Sequence, residues 1–176
     1  METIVSRLSG GDLRSIGEVE EIVAAIIKDA SLFADVFQAM SAEDPVVRMR
    51  AADAIEKVTR KEPQYLQPVK QQLLREVSQV AQQEVQWHVA QMLPRLALEP
   101  KEASEVIKLL ESWLKSSKSK IVQVNSLQAM VDIAAKHTEY QTLVFQKLGE
   151  VIESGSPALQ SRGKKLMKLL DKNNFI

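Results

Sequence analysis

Two histidines, His88 and His137, are the side chains in this sequence whose ordinary pKa lets them trade protons near neutrality, so acid–base chemistry at pH 7 would begin with them. A catalytic base also needs a nucleophile or carboxylate within hydrogen-bond reach, and the spacing around neither histidine supplies one. His137 follows Lys136 at an expected helix end, where the helix dipole favours positive charge. His88 takes the place that Arg50, Asn125 and Arg162 take in other copies of a recurring block, so a structural or surface role is expected. Asp53 and Asp132 fall on the polar sides of their helices. With no cysteine there is no thiolate nucleophile, disulfide or thiolate metal site. Metalloprotease, P-loop and nucleophile-elbow patterns are missing, and Gly10-Gly11 is too short for a phosphate loop and follows no strand pattern. The chain therefore reads as non-enzymatic, with no catalytic residue, cofactor or metal ligand assigned.

What remains is binding chemistry, on two candidate surfaces. The first is a ridge of Met49, Trp87 and Val124, which share one position in successive blocks about 200° around the helix from the start of the apolar stripe. Exposed, such a ridge is a contact for another protein; otherwise neighbouring helices bury it. The second lies on the polar sides of the second helix of each unit: Gln67, Gln71 and Ser78, then Ser104, Lys108 and Lys115, then Gln146 and Glu153. Lys108 and Lys115 are seven apart and so stand on one side of their helix.

These positions follow from a repeat. Val47-Arg48-Met49-Arg50, Val85-Gln86-Trp87-His88, Val122-Gln123-Val124-Asn125 and Leu159-Gln160-Ser161-Arg162 begin 38, 37 and 37 residues apart. Offsets of 0, 4, 7, 8 and 11 from each start form one stripe of a 3.6-residue helix, filled in the first copy by Val47, Ala51, Ala54, Ile55 and Val58. Asp44-Pro45 and Ser156-Pro157 supply a capping side chain and a first-turn proline at equivalent places, and Ser119 shares the capping position. A period in this range with two helical segments per interval marks an all-α solenoid. About four and a half helix pairs are expected: a cap at 1–11, then units at about 12–43, 44–80, 81–117, 118–155 and 156–172, in one domain of 176 residues.

Within unit one the expected helix carries Val19, Ile22, Val23, Ile26 and Ile27, and its partner Leu32, Phe33, Val36, Phe37 and Met40. Unit two has a second helix bearing Leu66, Val69, Leu73 and Val77. In unit three Pro94 should kink or shorten the first helix. Unit four has a second helix with Val144, Phe145, Leu148, Val151 and Ile152. Five residues into each block stand Ala52, Ala90 and Leu127, then Lys164. Together with Lys165, Lys168 and Lys172, this last residue gives the final helix the polar outer face of a cap.

Asp44-Pro45, Val47-Arg48, Ala51-Ala52 and Ala54-Ile55 resemble the first helix of a HEAT repeat, and the resemblance covers about Asp44 to Asp171. It implies two antiparallel helices per unit, a right-handed superhelix, second helices lining its concave face, and use as a scaffold for a protein or peptide. HEAT repeats often carry Asp and Arg ladders between units. Here the Arg48 position becomes Gln86, Gln123 and Gln160, so a ladder of amides is expected.

Some HEAT-like solenoids are alkylpurine DNA glycosylases, which makes nucleic-acid binding the alternative class. That route needs a broad basic groove. The formal net charge is zero, although Met1 to Pro45 holds three basic and nine acidic residues against 20 and 14 in the remainder, enough for weak steering of an acidic partner. A bilin-lyase-like accessory role would want an acid or cysteine handle that the sequence does not offer. No apolar run approaches the roughly 20 residues of a membrane span. The start lacks a basic stretch followed by a long apolar core, so a cytoplasmic location is expected.

Overall fold

The computed structural model describes residues 3–172, with side chains through residue 170. Among these residues there are nine α-helices and no strand: α1 (Val19–Lys28), α2 (Phe33–Gln38), α3 (Pro45–Lys61), α4 (Lys70–Arg75), α5 (Gln83–Met92), α6 (Pro100–Ser116), α7 (Lys120–Ala134), α8 (Gln141–Ser154) and α9 (Pro157–Lys172). Short 3-10 turns occupy Ser6–Leu8, Ala30–Leu32, Ala39–Ser41, Pro63–Leu66, Val77–Gln79, Leu93–Arg95 and Thr138–Tyr140. No described helix is long and apolar enough to cross a membrane. The all-α repeat architecture is as the periodicity implies, and the chain gathers into two compact units, Met1–Leu96 and Ala97–Ile176.

The repeating stripe is the core. Val47, Ala51, Ala54, Ile55 and Val58 are buried, and so are their counterparts Val85, Val89, Met92, Leu93 and Leu96, and Val122, Ser126, Ala129, Met130 and Ile133. Each large aliphatic buried this way contributes about 1.5–3 kcal/mol relative to exposure. In the last copy the fourth-offset position is Gly163, where a Cβ would lie 3.0 Å from Ile152 Cγ1 and Val151 Cγ2. The missing side chain lets α9 lie close on α8, which it contacts along with α7.

In the first unit α3 is central, packing on α1, α2 and α5. Asp44 Oδ1 accepts from Val46 N–H at 2.8 Å, and Pro45 opens the helix without wasting a donor. Arg50, buried although charged, donates from Nε to the carbonyl of Ser15 at 3.0 Å and from Nη1 to those of Leu8 and Ser9 at 2.9 and 3.0 Å. It thereby holds the segment before α1 against α3. Gly17 sits directly over it, with φ +55° and a would-be Cβ 2.9 Å from Arg50 Cζ. Only glycine combines that dihedral with that approach.

Several expectations are corrected here. The second helix of unit two is broken: a 3-10 turn at Pro63–Leu66, six residues of α4 and a 3-10 turn at Val77–Gln79 stand in its place. Pro68, whose ring cannot donate to the preceding turn, separates the first two pieces. Pro94 does shorten its helix, since α5 ends at Met92 and tightens into Leu93–Arg95. Ile27 and Phe145 are exposed. Each lies one residue, about 100°, off the buried stripe of Val19, Ile22, Val23 and Ile26 or of Val144, Leu148 and Val151. Ser156 does not cap α9, and its buried hydroxyl has no hydrogen-bond partner among the described residues.

The amide ladder is replaced by other links. Arg48 Nε donates to Gln82 Oε1 at 2.7 Å and Gln82 Nε2 returns to the carbonyl of Pro45 at 2.9 Å, while Arg48 Nη1 also binds the carbonyls of Ala42 and Glu43. Gln123 is buried and donates to the carbonyl of Leu114, in the last turn of α6, at 3.1 Å. A glutamine in the first turn of α7 lies close to that helix end, whose free carbonyls need donors.

Candidate protein-binding groove

In the second compact unit, α6 and α8 precede and follow α7 and fall where the period expects second helices. α6 starts at Pro100, where the Glu102 carboxylate accepts from Glu99 N–H at 2.9 Å, and it buries Ala103, Val106, Ile107, Leu110, Trp113 and Leu114. α8 buries Val144, Leu148 and Val151. Both helices turn these stripes inward, toward α7, which buries residues on most of its sides and packs on α6, α8 and α9. Beside these stripes, and sharing Leu114 and Val151 with them, the two helices leave an open cavity of about 710 Å³. From α6 it is lined by Lys108, Glu111, Ser112, Leu114 and Lys115, and from α8 by Lys147, Glu150, Val151 and Ser154, with Gly155 beyond.

The charges in this groove are unequally engaged. Lys147 Nζ lies 2.9 Å from Glu150 Oε2 and 4.0 Å from Glu111 Oε1, so one ammonium serves both carboxylates. That hydrogen bond from Lys147 holds the exposed Glu150 carboxyl below its usual range. Lys108 and Lys115 are exposed and form no ion pair among the described residues. Leu114 and Val151, nearly buried, contribute the apolar part of the lining.

Of the residues singled out by sequence, Lys108 and Lys115 are therefore brought together in one groove. Gln146 is exposed beside it and donates to Glu150 Oε1 at 3.0 Å. Gln71, on α4 in the first unit, is exposed and accepts from Arg75 Nε at 3.0 Å. The apolar ridge does not form an exposed surface as drawn: Met49 is 7 % exposed, and Trp87 and Val124 are half-buried. Met49 lies beside the stripe on a helix that is covered by α1, α2 and α5, which removes the ridge's first member.

Lys147, Glu111, Glu150, Ser112 and Ser154 were missed. The signal was present, because 108, 111, 112 and 115 on α6 share the offsets of 147, 150, 151 and 154 on α8, 39 residues later. Such offsets place each set on one helix side.

Neither histidine joins this groove. His88 is on α5, its Nδ1 buried without a partner among the described residues. Burial pushes its pKa down, against the pull of Asp53 and Glu56, with Lys57 and Arg60 adding to the lowering. His137 Nδ1 lies 3.7 Å from Glu139 at the start of a 3-10 turn. The Lys164, Lys165 and Lys168 side chains are exposed on α9, as expected, and Lys172 lies outside the described side chains.

The model of the HEAT repeat domain matches residues 7–169. The chain belongs to the HEAT-repeat family. HEAT repeats commonly mediate protein–protein interaction and are typically non-enzymatic. No curated protein and no solved structure matches the chain. In this HEAT-repeat protein the groove lies between α6 and α8, which carry the sequence-selected Lys108, Lys115 and Gln146.

Proposed function

We propose that this HEAT-repeat chain is a non-enzymatic scaffold, read as one run of repeat units, that holds a segment of another protein in the groove between α6 and α8. The observation that carries the reading is the groove itself: an open cavity of about 710 Å³ whose walls mix two ammonium groups without an ion pair among the described residues, two serines and two aliphatic side chains. Sites that take small ligands or short runs of side chains span about 300–1,000 Å³ and combine apolar lining with a few convergent polar groups. A reducing compartment such as the cytoplasm fits the absence of cysteine. A phosphate-backbone reader would want cations alone along its track, whereas Glu111 and Glu150 interrupt the lysines here.

The test is a pull-down from extract of the source cells with the wild-type chain, the Lys108→Glu/Lys115→Glu double variant and Trp87→Ala. The expected result is a protein retained by wild type and Trp87→Ala and lost by the double variant. Retention by all three places binding elsewhere, and loss only with Trp87→Ala returns the contact to the half-buried ridge.

A further inference from the structure

We infer that the segment held between α6 and α8 is acidic, its carboxylates paired with Lys108 and Lys115. This rests on the scaffold reading and adds the chemistry of the occupant. The groove's own anions, Glu111 and Glu150, are both taken up by Lys147. Its two remaining cations form no ion pair among the described residues and face solvent. An occupant that supplies negative charge there completes the electrostatics of the site, whereas a basic one meets two like charges.

Geometry narrows the occupant. Lys108 and Lys115 are two helical turns apart on one side of α6, which separates them by about 10 Å along the axis. An extended peptide advances about 3.3 Å per residue, so acidic residues three or four apart in it reach both ammonium groups. In the same lining Leu114 and Val151 offer an apolar contact, suited to one aliphatic side chain of the occupant. The surrounding unit agrees in sign: residues 97–176 hold 12 basic and 9 acidic residues, a field that draws an anionic segment in.

The test is fluorescence anisotropy at low salt with three fluorescein-labelled probes: a short peptide of glutamate and leucine, its lysine and leucine counterpart, and a short DNA duplex. Each meets the wild-type chain, Lys108→Glu/Lys115→Glu, and a control with the same charge change on α9, Lys164→Glu/Lys168→Glu. The Glu/Leu peptide is expected to bind wild type, to lose about tenfold or more of its affinity in the groove variant, and to change by less than about twofold in the control. The Lys/Leu peptide should bind the groove variant better than wild type. Equal losses in groove variant and control, no binding of the Glu/Leu peptide, or preference for the duplex each overturn the inference. A partner recovered in the pull-down whose captured segment is neutral or basic sinks the acidic chemistry while leaving the scaffold standing; no groove-dependent partner sinks the scaffold itself.

Discussion

The two compact units solve the same stacking problem with different materials. Residues 3–96 are stitched by polar links between repeats: Arg50 into the N-terminal segment, Lys57 to Glu20 at 2.5 Å, Arg48 to Gln82, and Arg95 to Glu56 and Thr59. Residues 97–172 rely on long uninterrupted helices around a largely buried α7, with side-chain links across a repeat spacing from Arg162 to Gln128 at 3.0 Å and from Lys147 to Glu111 at 4.0 Å. The first unit has short helices cut by Pro63, Pro68 and Pro94, and fixed side-chain bonds hold its pieces in register. The second needs fewer such bonds, and among the described residues Lys108 and Lys115 are left without an ion pair. Where charge is consumed by the fold it cannot serve a partner; where helices are self-sufficient it can.

The largest expected effect is at Arg50. Replacing it with Met leaves the carbonyls of Leu8, Ser9 and Ser15 without their donor, and a loss of about 3 kcal/mol is expected in urea denaturation. Hydrogen exchange should accelerate over residues 8–17 first. The matched change Arg162→Met, at the same repeat position in the other unit, removes a single bond to a half-buried side chain and should cost below about 1 kcal/mol. Equal losses at the two sites would erase the contrast.

Glu56 comes next. It is 1 % exposed and bridged by Arg60, at 2.5 Å, and by Arg95. Burial alone would raise its pKa, but the hydrogen bonds and charges of the two arginines prevail and lower it from 4.5. A carboxyl depressed on folding stabilises above its unfolded pKa, and that contribution is lost as pH falls through the lower folded value. Acid titration of wild type should thus weaken the first unit as pH drops below about 4.5, and Glu56→Gln should remove this dependence while costing about 2 kcal/mol at neutral pH. A variant whose stability against pH still parallels wild type would show that other carboxyls set the acid limb. Gly17→Ala follows with about 1–2 kcal/mol, because the methyl needs an unfavourable dihedral and meets a guanidinium that three carbonyls hold in place.

Much of the apolar framework was legible in the sequence because it obeys a period. Val47 predicts Val85 and Val122 by spacing alone, and the same count correctly makes Lys164 an outward residue where Ala52, Ala90 and Leu127 are covered. The polar links were not legible, since they depend on which side chain is long enough to reach a neighbour. Gln82, at the repeat position of Asp44, is the partner of Arg48. Arg50 looked interchangeable with His88 and Asn125, yet its burial depends on three carbonyls and on the close approach of Gly11 and Gly17, two of three left-handed glycines in a segment without periodicity. Half of the groove was visible as Lys108 and Lys115. Its other half required carrying the register of α6 onto α8, where Lys147 decides which charges remain unpaired.

The smallest effect on stability, and the sharpest probe of the contrast, is expected from Lys147→Met. Its ion pairs are partly solvated, the Lys147, Glu111 and Glu150 side chains being 26 %, 31 % and 47 % exposed, so the change should move stability by less than about 1 kcal/mol. Binding should respond far more. Without Lys147 the two glutamates stand unneutralised beside Lys108 and Lys115, and the affinity for a Glu/Leu peptide should fall although neither of its proposed partners has been touched. Glu111→Gln should act in the opposite sense and strengthen the same complex. A Lys147→Met chain that melts with the severity expected of Arg50→Met would mean that the second unit, too, depends on its polar links, and the division of labour between the units would fail.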